Sequence, residues 1–143
     1  SAASDVYKRQ AFWQDFMADK PTDFKIYIEN VLEDEPYMFR DMMSKISDKR
    51  IKLCLDIGHA NAMTQKDIAV ERWIELLAPY IGHFHLHNNY GDKDSHNSFE
   101  CGSMNMASIF DTIENYCDKN VTFTIEAFEC LECVKWLSKY GYI

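Results

Sequence analysis

The sequence predicts an α/β fold in which parallel strands are joined by helices. Three observations carry that prediction. Strand-like alternation and helix-like apolar spacing follow one another four times along 143 residues. In each strand the apolar set faces one way, as packing under helices requires. The opposite, more polar set ends at the C-terminal tip on Glu29, on Asp56, on His85 with His87, or on Glu126. Alternating β and α segments of this length join parallel neighbours by right-handed crossovers, and parallel sheets keep their chemistry at the C-terminal ends of the strands.

The elements follow in order. Residues 1–10 carry no hydrophobic period and are expected to be a non-native leader outside the fold, leaving a domain over 11–143. From Ala11, the spacing of Phe12, Trp13, Phe16 and Met17 predicts a short amphipathic helix that ends near Pro21. Phe24 to Glu29 alternates and reads as a strand. Glu33-Asp-Glu-Pro36 puts acids and a proline where a helix begins, and Met38, Phe39, Met42, Met43 and Ile46 fill one face of it. Ile51 to Asp56 is the second strand, followed by a loop and by a helix from about Asp67 carrying Ile68, Trp73, Ile74 and Leu77. The third strand, through His83, His85 and His87, leads by a loop to a helix with Ile109, Phe110, Ile113, Tyr116 and Cys117. Val121 to Glu126 is the fourth strand, and a last helix presents Leu131, Val134 and Leu137. Trp73, Tyr80, Tyr116 and Trp136 are read as core or interhelical packing.

Composition narrows the class. A chain that is 47% hydrophobic can bury one core. No apolar run reaches the roughly 18–20 residues that span a bilayer, and no signal-peptide segment stands at the N-terminus. No membrane partner is therefore expected, and the location is expected to be cytoplasmic. The five cysteines are odd in number and are expected to be reduced thiols. A net charge of −8 disfavours a nucleic-acid partner, because phosphate binding relies on Lys and Arg.

The stretch His83 to His96 concentrates the chemistry. On a strand, His83, His85 and His87 share one face, while Phe84 and Leu86 share the other. A Gly-containing loop then supplies Asp94 and His96. One such histidine is usually a satisfied polar residue; three in register followed by Asp-x-His suit a Zn²⁺ or Mn²⁺ site, since unprotonated imidazole and carboxylate are good ligands for such ions. Acids meeting at neighbouring strand tips point the same way, because carboxylates brought side by side need a compensating cation.

Ile28-Glu-Asn-Val31, Leu53-Cys-Leu-Asp-Ile-Gly-His-Ala60, His85-Leu-His-Asn-Asn89 with Asp94-Ser-His96, and Thr124-Ile-Glu126 together resemble the xylose-isomerase-like TIM barrels. That group includes sugar phosphate isomerases and epimerases and the apurinic endonucleases of the endonuclease IV type. The resemblance implies a (β/α)8 barrel truncated here to about four C-terminal βα units, since a full barrel takes about 250 residues. Two strands would then expose unpaired edges, so the isolated polypeptide is expected to be poorly stable or to form a homo-oligomer, and by itself to be inactive.

By motif, the resemblance makes Glu29, Asp56, His85 and Glu126 the ligands of a divalent ion (Mn²⁺, Zn²⁺, Mg²⁺ or Co²⁺), with Glu29 and Glu126 also the catalytic acid/base pair. His59, His87 and Asn88 would contact substrate. His59, Asp94 and His96 match an additional metal site of the endonuclease branch. Asn88 stands where the motif usually has Asp, which leaves it able to orient His85, and Cys101-Gly102 stands where a Gly-x-Gly is common. The expected activity is isomerisation or epimerisation of a small sugar or sugar phosphate by proton transfer through a metal-stabilised ene-diolate. The alternatives are a multi-zinc apurinic-site endonuclease, a phosphodiesterase, and an inactive barrel fragment that only binds metal or sugar.

Overall fold

Runs of alternating apolar residues become four strands: β1 (Ile26–Glu29), β2 (Ile51–Asp56), β3 (Ile81–Leu86) and β4 (Thr122–Ile125). The computed structural model describes residues 2–64 and 68–143. All neighbouring strands are parallel and lie in chain order, β1-β2-β3-β4, so among the described residues β1 and β4 each have one partner. The register sets Asp56 opposite His85 and Phe84 opposite Phe123. This aligns the polar tips at one edge.

Helices α1 (Ala2–Met17), α2 (Tyr37–Met43), α3 (Ile57–Met63), α4 (Val70–Leu77), α5 (Met106–Tyr116) and α6 (Cys130–Lys139) cover the apolar back. Leu53, Leu55, Phe84 and Leu86 from the strands meet Phe39, Met42, Trp73, Ile74, Leu77 and Ile109 in one buried cluster. The buried Trp73 indole also needs a polar partner, and its Nε1 donates to Thr64 Oγ1 at 3.1 Å.

Several expectations are corrected. The first helix does not begin at Ala11. It runs back to Ala2, Val6 is buried in the core, and Gln10 Nε2 donates to the Lys45 carbonyl at 2.9 Å; a single buried valine per two turns leaves too weak a period to read. The loop expected after β2 is instead α3, started by Asp56 as its N-cap. The helix start expected at Asp67 lies outside the described residues, and α4 begins at Val70. The last helix turns Cys133 and Leu137 inward, while Leu131 and Val134 are 70% and 40% exposed. Tyr116 is 57% exposed rather than packed. All five cysteines are free thiols, and the Cys130-x-x-Cys133 spacing on α6 puts one thiol in solvent and the other in the core.

The long first helix gives a direct test. Val6→Ala removes two buried methyl groups and is expected to lower the unfolding free energy by about 1.5–2.5 kcal/mol. Arg9→Ala, at an exposed position of the same helix, is expected to stay within about 0.5 kcal/mol. Urea denaturation followed by tryptophan fluorescence measures both.

Candidate metal centre

The parallel register brings four residues from four strands to one edge. Glu29 ends β1, Asp56 ends β2, His85 lies one residue from the end of β3, and Glu126 follows β4 with its N–H donating to the Leu86 carbonyl at 3.0 Å. His85 Nδ1 is their common point. It lies 3.1 Å from Glu29 Oε1, 3.3 Å from Glu126 Oε1 and 3.6 Å from Asp56 Oδ2.

Among the described residues, no lysine or arginine pairs with these three carboxylates; their only ionic neighbours are imidazoles. Their field is felt nearby. Burial, joined by the charges of Glu29, Asp56 and Glu126, pushes the Cys54 thiol up to about 12. Hard oxygen donors and one imidazole around an excess of negative charge fit a divalent ion, and Glu29, Asp56 and His85 can each offer a ligand atom within 4.8 Å of the others.

Asp56 is the anchor of this edge. Its side chain is fully buried, and Oδ1 accepts from the His59 N–H at 2.7 Å, capping α3, and from His87 Nε2 at 3.0 Å. Burial pushes its carboxyl up, but the His87 hydrogen bond and the charges of His87 and His59 outweigh burial and hold it below the usual range. Its backbone is fixed by Asn30, whose amide both donates to the Asp56 carbonyl at 2.9 Å and accepts from the Asp56 N–H at 2.8 Å. Asn30 is a positioning residue that the sequence reading missed. The signals available were a strand tip reading Glu-Asn and an Asp standing ahead of Ile-Gly-His-Ala-Asn-Ala-Met, which suits an N-cap.

A second cluster sits beside the first. His59, His87, Asp94 and His96 offer ligand atoms that all lie within 4.8 Å of one another. His59 Nε2 and His96 Nε2 stand 3.2 and 3.0 Å from Asp94 Oδ2, and His87 Nδ1 stands 3.7 Å from Asp94 Oδ1. Burial lowers the His59 pKa, yet Asp56, the Asn30 carbonyl, Asp94 and Glu29 together hold it above the ordinary histidine value.

Each residue expected at the site can now be placed. Glu29, Asp56, His85 and Glu126 converge. His59, Asp94 and His96 converge next to them, and His87 joins that second group rather than an open substrate face: it is buried and its ring stacks on His96 at 3.9 Å. Asn88 is a correction. It is buried, its Nδ2 donates to the Phe99 and Met104 carbonyls at 2.9 and 3.1 Å, and its Oδ1 accepts from the Asn89 and Met104 N–H groups at 2.9 and 3.2 Å. All its hydrogen-bonding capacity is spent on the loop after β3, leaving none for His85 or a substrate. Gly102 fits against it so closely that a β-carbon would overlap the Asn88 amide. His83, in register below His85, has both ring nitrogens taken by Thr122 at 2.6 Å and Thr124 at 2.9 Å. Burial, then the charge of His85, lowers its pKa against the pull of Glu126.

Comparison with known proteins adds the relationship. The family model described as xylose isomerase-like TIM barrel matches residues 15–138. Among solved structures, a D-tagatose 3-epimerase-like protein superimposes with a TM-score of 0.71 at 21% identity, covering 97% of this chain and 52% of its own. The 3-keto-D-glucoside 4-epimerase YcjR from E. coli gives 0.66 at 12% identity, covering 100% and 56%. The TTHB071 protein from Thermus thermophilus, soaked with ZnCl2, gives 0.62 at 19% identity, covering 80% and 43%. The chain thus spans about half the length of the structures it resembles. No curated protein sequence matches it.

Gly58 tests how tightly the edge is assembled. A β-carbon there would overlap the His87 ring, so Gly58→Ala is expected to displace His87 from Asp56 and to cost about 1–3 kcal/mol of stability. Chemical denaturation, with the His87 imidazole signals followed by NMR, reads both effects.

Proposed function

The chain belongs to the xylose isomerase-like TIM-barrel family, and from that premise we propose that it is the catalytic half of a divalent-metal-dependent isomerase or epimerase of a small sugar or sugar phosphate. The observation that supports this best is the ring of three carboxylates around His85 Nδ1. The donor types suit Mn²⁺, Zn²⁺, Mg²⁺ or Co²⁺, held by Glu29, Asp56, His85 and Glu126. Bound there, such an ion would act as a Lewis acid on the oxygens of a ketose and so ease loss of the proton beside the carbonyl.

The protein's own groups divide the remaining work. The buried Asp56 carboxylate, with one oxygen committed to His59 and His87, can hold but cannot reach a substrate. Glu29 and Glu126 are about one-third exposed; Glu29 ends one outer strand and Glu126 follows the other, with His85 on a strand between them. One can take a proton from the carbon beside the carbonyl, and the other can return it from the opposite side. Return to the same carbon is epimerisation; return to its neighbour is isomerisation. The epimerases among the similar structures support the sugar class, and the zinc-soaked one supports zinc.

The second reading, a multi-zinc apurinic-site endonuclease, is favoured by one observation, the His59, Asp94 and His96 group beside the first. The net charge of −8 weighs against a phosphodiester polyanion.

Solvent exchange separates the readings. Proton removal is the more sensitive readout. With Mn²⁺ and a ketopentose or ketohexose in D₂O, deuterium is expected to enter the position beside the carbonyl, followed by NMR after metal removal. Glu29→Gln and Glu126→Gln should each slow that entry by about 100-fold or more. Nicking of abasic-site DNA without deuterium entry would establish the endonuclease instead; Mn²⁺ binding with neither reaction would leave a half-barrel that binds and does not turn over.

A further inference from the structure

The ends of the strands away from the cage hold a second concentration of charge, of the opposite sign. Lys25 stands just before β1, Lys49 shortly before β2 and Lys52 at the second position of β2. With Tyr27 and Asn120 they line a cavity of about 270 Å³. None of the three lysines is in an ion pair among the described residues, although the chain carries 23 acidic side chains against 15 basic ones. Like charges gathered in one place repel, and an anion between them relieves the repulsion.

Lys52 is held in place. It lies opposite Tyr27 in the β1–β2 register, and both side chains meet Gly82 at the start of β3, where an added β-carbon would overlap Tyr27 Cε1 and crowd Lys52 Cβ and Cδ. The missing side chain leaves room for the aromatic ring and the lysine stem together, so the methylenes of Lys52 pack at this corner while the residue lines the cavity. Arg50 fixes another part of the wall. Its guanidinium gives all five N–H groups to Asp48 and to the carbonyls of Met17, Lys20 and Pro21.

The charges can be counted. Asp118 is the one carboxylate in the lining, and its Oδ1 accepts from the Asn120 N–H at 2.8 Å. Three lysines against one aspartate, with Arg50 balanced by Asp48, leave two positive charges in the lining of a protein whose net charge is −8.

We propose that this cavity binds a phosphoryl dianion, either free phosphate or the phosphate of a small phosphomonoester. Two surplus positive charges match a dianion, lysine ammonium groups are point-charge donors to phosphate oxygens, and the Tyr27 hydroxyl and Asn120 amide supply neutral donors in the same lining. Parallel barrels keep their chemistry at the C-terminal ends of the strands. An anion bound at the opposite end therefore ties the starts of β1, β2 and β4 together and does not react. The site shares no residue with the metal centre and does not depend on the reaction proposed there.

Titration of the metal-free protein with inorganic phosphate, at an ionic strength held constant with chloride, tests this by ¹H–¹⁵N NMR. Saturable shifts are expected at Lys52, Gly82 and Asn120 and not at Glu29, His85 or Glu126, together with a rise in melting temperature. Lys52→Met, which keeps the packed stem, should weaken binding by about 10-fold or more. Lys25→Gln combined with Lys49→Gln, both at exposed positions where folding is not at stake, should do the same. Because Lys52→Met also removes repulsion, it is expected to melt no lower than the unaltered protein in chloride and to gain nothing from phosphate. A parallel titration with glycerol 3-phosphate identifies the source: tighter binding of the ester assigns the site to a phosphorylated small molecule, and tighter binding of phosphate assigns it to the free ion. Shifts that do not saturate, that centre on the strand tips of the cage, or that survive both sets of substitutions would overturn the proposal.

Discussion

Three carboxylates from β1, β2 and the residue after β4 converge on one imidazole nitrogen without a lysine or arginine among the described residues to balance them. That electrostatic constraint organises the rest of the edge. Carboxylates brought this close repel unless a cation sits between them or each is restrained by hydrogen bonds. The structure restrains only one fully. Asp56 is capped, paired and buried, whereas Glu29 and Glu126 remain partly open to solvent. A rigid carboxylate flanked by two accessible ones is an arrangement that would suit the proposed metal-assisted proton transfer.

Asp56 also links fold to site. Its carboxylate starts α3, its backbone is locked to Asn30, and its Oδ1 orients His87. One residue therefore sets, through its carboxylate, a helix start and the tautomer of a histidine in the adjacent cluster and, through its backbone, the contact between β1 and β2 at their tips. The loop after β3 is held in parallel fashion by amides. Asn88 bonds its own loop on four sides, and Asn89 Nδ2 reaches the Gly58 carbonyl at 2.8 Å. These neutral side chains give shape without adding charge to an edge that already carries an excess.

Much of this was legible in the residues because a strand has a strict period of two. Ile51, Leu53 and Leu55 announce one face and Asp56 the tip, and four such strands force the tips together once they are parallel. Helices were less legible where the period was weak or short. α1 buries Val6 far from Met17, which breaks the pattern, and the seven residues of α3 read as a loop because its cap doubles as a site residue. Leu131 and Val134 misled for a different reason: both are apolar but exposed, while Cys133 and Leu137 of the same helix are the residues turned inward. Asn30 and Asn88 carry roles that depend on backbone atoms distant in the chain, and no local spacing encodes those.

A cation shared by the four strand tips is the central claim, and anomalous X-ray scattering from crystals grown with Mn²⁺ addresses it most directly. The expected result is a peak about 2.0–2.3 Å from carboxylate oxygens of Glu29, Asp56 and Glu126 and from His85 Nδ1. A well-ordered edge with no peak among those four, or a peak that leaves Glu29 and Glu126 both outside bonding distance, would contradict it.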